Sequence, residues 1–171
     1  ADGTAIVEVA QACGLELVKE DERNPMRATT YGVGGLISSA VKRGCRNFII
    51  GLGGSGTSDA GIGMLRALVD IFAKGKTFDD AMKTELGECR FTLACDVDNP
   101  LCGENGAACV YAPQKGATPE MVEQLDRRAK LFSEKSALHY GYDRSCCPGA
   151  GAAGGLGYAF MQYLGAEMRS G

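Results

Sequence analysis

The sequence has no tryptophan, one histidine (His139), and five prolines in 171 residues; aromatic residues make up only 7% of it. No apolar run approaches the roughly 20 residues that a membrane-crossing helix needs. The first residues lack the basic-then-apolar pattern of a secretory signal. There is no long basic run, no interleaving of basic and aromatic residues, and a formal net charge of −3. Nucleic acid is therefore disfavoured as a partner. Gly-Lys-Ser/Thr is missing, which excludes a Walker-type phosphate loop. These absences argue against nucleic acid and membrane as partners, and it is the expected reduced state of the cysteines that points to a cytoplasmic protein. Assembly as a homo-oligomer stays open.

The eight cysteines first suggest a disulfide framework or a metal centre. Their spacing argues against both. No Cys-x-x-Cys occurs, Cys89, Cys95, Cys102 and Cys109 are separated by five or six residues, and only one histidine is available. Zinc sites normally use close ligand pairs. The expectation is reduced thiols, mostly buried. The adjacent pair Cys146-Cys147 is the one place where oxidation or a soft metal would matter.

What the chain has in excess is glycine. Twenty-five glycines are about twice the usual share of roughly 7%. They cluster at 51–63 and 149–157, as built loops and not as a flexible linker. The apolar share of 45% and charged share of 23% are those of an ordinary globular protein. The length fits one domain, spanning 1–171.

Local patterns alternate between strand and helix. Ala5–Ala10 fits a strand or a short helix equally well. Thr29 or Thr30 can cap a helix running to about Lys42, with Val33, Leu36, Ile37, Ala40 and Val41 on its apolar face and Gly44 ending it. Phe48-Ile49-Ile50 reads as a buried strand. A helix near Asp59 would point Ile62, Leu65, Leu68 and Phe72 inward. Lys74–Glu88 is polar and weakly patterned. Phe91–Val97 and Ala108–Tyr111 read as strands. Thr118-Pro119-Glu120 is a strong helix start, with a cap, a proline in the first turn and an acid. A second glycine-rich turn, Pro148–Gly157, leads into a helix ending near Gly165. The fold class that follows is α/β, a mixed sheet with flanking helices.

Four segments carry chemistry. Gly51-Leu52-Gly53-Gly54-Ser55-Gly56-Thr57-Ser58-Asp59 follows a strand and precedes a helix. Such a turn presents backbone N–H groups and a helix N-terminus, where a phosphate or carboxylate can sit. Gly53, Gly54, Ser55, Thr57 and Ser58 are its candidate binding residues, and Asp59 a candidate catalytic acid or base. Formally Gly51-x-Gly53-x-x-Gly56 matches a dinucleotide fingerprint, which keeps a dinucleotide-dependent oxidoreductase as an alternative. The acid that the fingerprint needs after a second strand is missing, since Asp70 lies on a helical pattern. Asp96 and Asp98, at the end of the expected strand, fall on one face and can hold Mg²⁺ or, for Asp96, take a proton from a hydroxyl. Asn99 belongs to the same turn. Gln114 and Lys115 lie in a tight turn where the lysine can meet an anion. Gly149 and Gly151 offer only backbone, to a ligand or to another element packed close by. His139 reads as a surface residue without a role.

Taken together, Phe48–Gly61, Ala94–Gly103, Pro113–Ala117 and Pro148–Gly155 resemble the bacterial glycerate kinase family of the two-domain α/β type, in that family's order and over nearly the whole chain. The resemblance implies ATP-dependent phosphorylation of D-glycerate, with ATP and Mg²⁺ required. Members are roughly twice this long. The segment with Asp-Ser and Lys near their start is absent here, as is the Gly-Glu-Gly-Arg-x-Asp run near their end. The chain thus resembles the central domain, inserted in the family into a discontinuous Rossmann-like domain. It would supply one wall of an active-site cleft, and by itself is expected to be inactive. Two departures are that Asp70–Glu88 is short and that Gly35 stands where members usually carry glutamate. A non-enzymatic module that binds small acids or other anions is the further alternative.

Overall fold

A computed structural model of the protein describes residues 3–170. The elements run β1 (Thr4–Glu8), α1 (Ala10–Cys13), α2 (Tyr31–Lys42), β2 (Asn47–Gly51), α3 (Ile62–Phe72), α4 (Phe78–Met82), β3 (Arg90–Ala94), α5 (Ala107–Tyr111), α6 (Pro119–Tyr140), α7 (Ala152–Leu164) and β4 (Glu167–Arg169). The strands form one four-stranded sheet in the order β1-β2-β3-β4. All three pairings are parallel. The expected α/β class with flanking helices is found, but the sheet is parallel where a mixed one was expected. Every connection between its strands is a crossover through helix, which returns each strand in the same direction.

Register decides where the site lies. Thr4 pairs with Asn47 and Asn47 with Arg90, so β1, β2 and β3 end level at Glu8, Gly51 and Ala94. The loops leaving these strands therefore meet along one edge. In open parallel sheets ligands bind in a crevice at that carboxyl edge.

Alternation along the strands buries one face of the sheet. Val7, Phe48, Ile50, Phe91 and Leu93 enter a core shared with Val33, Ile37, Met64, Leu68, Leu156 and Phe160. Each such side chain contributes roughly 1.5–3 kcal/mol relative to an exposed one. Phe91 sits between Phe48 and Phe160, with ring centroids 4.9 and 5.6 Å away. The opposite face is open. Ile6 is 72% and Ile49 41% exposed, although parallel sheets are usually covered on both sides.

Several local expectations change. β3 ends at Ala94, so Asp96 and Asp98 lie in irregular chain, and strand alternation does not govern where they point. Ala107–Tyr111 is a helix. A five-residue apolar run carries too little period to choose, and burial of Ala108 and Ala112 against Leu125 of α6 decides it. The helix expected near Asp59 begins at Ile62, which is itself exposed. Leu36 is likewise exposed. Ala5–Ala10 resolves into β1 and the start of α1. Lys74–Glu88 contains α4 and a short 3₁₀ turn, whose caps Thr77 and Thr84 accept from Asp80 N and Leu86 N. Of the cysteines only Cys13 is buried, while Cys109 and Cys146 are exposed and the other five half-buried. His139 caps no site; its Nε2 lies 2.8 Å from Asp79 and ties the end of α6 to α4.

Candidate active site

A crevice of about 390 Å³ opens at the carboxyl ends of β2 and β3. The loop after β2 contributes Gly53, Gly54 and Ser55, and the chain after β3 contributes Asp96. Gln114 and Lys115 enter from the 3₁₀ turn that follows α5. Six of the residues singled out in the sequence therefore share one cavity.

The β2 loop is built to offer backbone donors. The loop is tied to the end of α1 by two backbone bonds: Gly54 O accepts from Leu15 N at 2.9 Å, and Gly56 N donates to Cys13 O at 2.8 Å. Among the described residues, the consecutive N–H groups of Gly53, Gly54 and Ser55 donate to nothing in the protein. Successive free N–H groups in a turn are the ingredients from which anion-binding nests are made. A Cβ built on Gly53 would meet no atom within 4 Å, so packing does not require glycine there; Gly54 has φ +72° and is needed for the turn.

Ser55 and Thr57 lock the loop's end, their hydroxyls 2.9 Å apart and Thr57 N donating to Ser55 Oγ at 3.2 Å. Lys115 is only 4% exposed. Its Nζ donates to Thr57 O at 2.6 Å, which leaves further N–H bonds for the crevice. Burial pulls the Lys115 pKa down from 10.5 to about 8, opposed by the charges of Cys13 and Asp59. A lysine so poorly solvated gains most from an arriving anion.

The floor of the crevice is strained. Ala152 and Ala153 line it, and Ala153 adopts φ +52°, ψ +46°, followed by Gly154 and Gly155 also at positive φ. Regular helix in α7 begins only after this reversal. The turn lets Gly154 O accept from Ala60 N at 3.0 Å and brings Gly154 against the Thr57 carbonyl, where a Cβ would clash. A non-glycine residue in the left-handed region persists only where its surroundings impose it, and such residues gather at functional sites.

The other expected residues lie elsewhere. Asp59 does not line this crevice. Its carboxylate accepts from Thr30 N (2.9 Å), Thr30 Oγ1 (3.0 Å), Gly61 N (3.0 Å) and Gly63 N (3.1 Å), joining the starts of α2 and α3. Together with Ser58 it borders a second cleft. Asp98 is exposed and outside the lining. Asn99 holds the wall: its Nδ2 donates to Asn105 O at 2.9 Å, and Tyr111 OH donates to its Oδ1 at 2.6 Å. Gly149 and Gly151 are buried, with built Cβ atoms meeting Met168 and the Pro100 carbonyl, so their small size serves packing. The dinucleotide arrangement is not formed. Asp70 lies within α3, where it accepts from Tyr31 OH at 2.9 Å, and α3 starts six residues after Gly56.

Sequence reasoning missed Tyr111 and Ala153. Tyr111 was hidden by the strand expected there. The Ala152-Ala153-Gly154-Gly155 run showed that something approaches closely, without showing which atoms turn toward the cavity.

These features define a parallel α/β unit with a crevice at its strand ends lined by backbone donors and a buried lysine. The chain belongs to the glycerate kinase family, whose sequence profile matches residues 1–171. It is 42% identical over 192 residues to a protein named glycerate 2-kinase from Escherichia coli (strain K12), covering 98% of this chain and 48% of that protein. It is 42% identical over 184 residues to the glycerate kinase of Haemophilus influenzae, covering 98% and 49%. A crystal structure of a protein assigned as glycerate kinase 2 from Salmonella typhimurium LT2 superposes with a TM-score of 0.86 at 38% identity, over 98% of this chain and 50% of that one. The chain thus spans about half the length of the curated relatives it matches. Among the described residues, no helix is long and apolar enough to cross a membrane.

Proposed function

We propose that the protein takes part in ATP-dependent phosphorylation of D-glycerate, with the crevice at the ends of β2 and β3 as the wall that receives the reacting anions. The observation that carries this is a row of three N–H groups, Gly53 to Ser55, that donate to nothing among the described residues, on residues that line the same cavity as Lys115 and Asp96. Phosphoryl transfer asks for positioning and charge neutralisation more than for covalent chemistry. The N–H row holds a carboxylate or phosphate, and Lys115 adds positive charge beside it. The Asp96 carboxylate takes the hydroxyl proton as the glycerate oxygen bonds to the γ-phosphorus. The bond from that phosphorus to the β-bridging oxygen breaks, and ADP leaves with its electrons. Asp59 acts through the loop it fastens, so it is a positioning residue.

The residues also fit a magnesium ion in the usual way of kinases, with one carboxylate from the protein and the remaining oxygens from phosphates and water. Asp96 would hold it as the alternative to serving as base, with Asp98 two residues away as the other acid of the turn. No group of three or more acidic, histidine or cysteine side chains is arranged as a metal cage among the described residues. When bound, the ion would neutralise phosphate charge.

The test is ADP release on addition of D-glycerate by the protein expressed from its full reading frame, with Asp96→Asn beside it. Glycerate-dependent ADP release that falls about a hundredfold in the variant supports the reading. Glycerate binding by calorimetry without any ADP release would overturn it in favour of a small-acid-binding module.

A further inference from the structure

A second cleft, of about 280 Å³, is lined by the loop before α2, residues 58–60, the first turns of α3 and part of α6. Three arginines from separate parts of the chain line it: Arg27 from the loop before α2, Arg66 from α3 and Arg128 from α6. None of their guanidinium groups makes an ion pair or hydrogen bond among the described residues, although acidic side chains elsewhere are paired with Arg46, Lys83, His139 and Arg169. Ser58 also lines the cleft. It is 8% exposed, and its hydroxyl has no hydrogen-bond partner. The hydroxyl itself still reaches solvent, so it is open to a ligand without being a stranded buried group.

Negative charge in the cleft is limited to Asp59, whose carboxylate already accepts four hydrogen bonds. The first N–H groups of α3 are taken as well, Gly63 N by Asp59 and Met64 N by Thr30 Oγ1. The guanidiniums and Ser58 Oγ are thus free to meet a ligand, as is the hydroxyl of Thr29, which accepts from Tyr31 N. Arginine presents a planar fork of N–H groups that matches phosphate geometry and is always charged. Three such forks against one carboxylate leave a surplus of two positive charges.

We propose that this cleft is a phosphate-binding subsite, in which Arg27, Arg66 and Arg128 clamp a phosphate dianion and Ser58 Oγ donates to one of its oxygens. Its volume lies just under the roughly 300–1,000 Å³ of pockets that enclose drug-sized ligands. It takes a phosphorylated small acid whole, or one end of a nucleotide. The inference stands on the cleft alone and does not need phosphoryl transfer at the β2 loop.

Calorimetric titration with inorganic phosphate at low salt tests it, on the wild type, Arg66→Ala/Arg128→Ala and Ser58→Ala. The arginines are exposed, so their removal leaves the fold intact, which thermal unfolding checks. The expected result is phosphate binding by the wild type that weakens at least tenfold in the double variant and several-fold in Ser58→Ala. Added salt should weaken it further. Titration with ATP and with a phosphoglycerate then separates the sources, since the natural one loses affinity in the same variants. Undetectable phosphate binding by the wild type overturns the proposal. So does binding that survives in Arg66→Ala/Arg128→Ala but is lost in Lys115→Met, which would place the phosphate on the β2 loop.

Discussion

Replacing Lys115 with methionine separates the cost of burying its charge from the use made of it. The side chain is 4% exposed, and burial brings its pKa from 10.5 to about 8. Keeping it protonated at neutral pH therefore costs the fold on the order of 3 kcal/mol. Methionine removes that cost at similar volume. It also deprives the Thr57 carbonyl of its donor at 2.6 Å, a loss of about 1–3 kcal/mol. The two effects oppose each other, so Lys115→Met should lie within about 2 kcal/mol of wild type near pH 7. The pH dependence is more telling. In the unfolded chain the lysine keeps its proton up to about 10.5, and in the folded chain it loses it near 8. Between these values the unfolded chain binds more protons, so folding stability rises with pH. Tyrosines and most cysteines titrate alike in both proteins and cancel; Cys13, which interacts with Lys115, is removed from the comparison by making both proteins in a Cys13→Ala background. Wild type should gain roughly 2–3 kcal/mol over Lys115→Met between about pH 7.5 and 10.5, read from urea unfolding midpoints. Below that window the difference should be flat. A difference that stays constant across it, or moves the other way, would refute the placement of a buried ammonium at Thr57. At neutral pH the variant should fold yet bind D-glycerate at least tenfold more weakly.

Gly53→Val should leave thermal stability within about 1 kcal/mol, since its Cβ meets nothing within 4 Å, while abolishing glycerate binding by filling the crevice; unchanged affinity in calorimetry would remove the N–H row from the site. Asp96→Asn should lower turnover about a hundredfold with little change in stability; lost stability with retained turnover would make Asp96 a turn residue only. Asp59→Ala leaves four donors at the joint of α2 and α3 without their acceptor and should cost about 3 kcal/mol or more in urea unfolding. All eight cysteines should titrate as free thiols in denaturant under non-reducing conditions. In the folded protein Cys109 and Cys146 should react first with a thiol reagent, and Cys102, whose thiol burial pushes up to about 12, should lag. Prompt reaction of Cys102 would contradict its burial.

Much of this protein was legible before any coordinates. Period and punctuation gave β2, α2 and the capped start of α6, because each depends on residues within a few positions of one another. The glycine loop at 51–59 was recognisable as a candidate anion site for the same reason: a strand, a turn and a helix start are local events. Segments of five residues, such as Ala107–Tyr111, carried too little period, and their state was decided by what they pack against.

The site divided along the same line. Residue type alone nominated Asp59, Asp96, Lys115 and the loop glycines. Only the tertiary structure could assign them to two sides of one segment, with Lys115 buried under Thr57 from 58 positions away and Asp59 turned to fasten α2 to α3. The three arginines of the second cleft had no shared signal in the sequence. They lie on different elements, each looks like an ordinary exposed charge, and their convergence exists only after the helices pack. A sequence fixes which groups are available and how the backbone near them turns. Which of them share a cavity, lose their water and shift their pKa is set by contacts between distant segments, and those depend on the packed core as a whole.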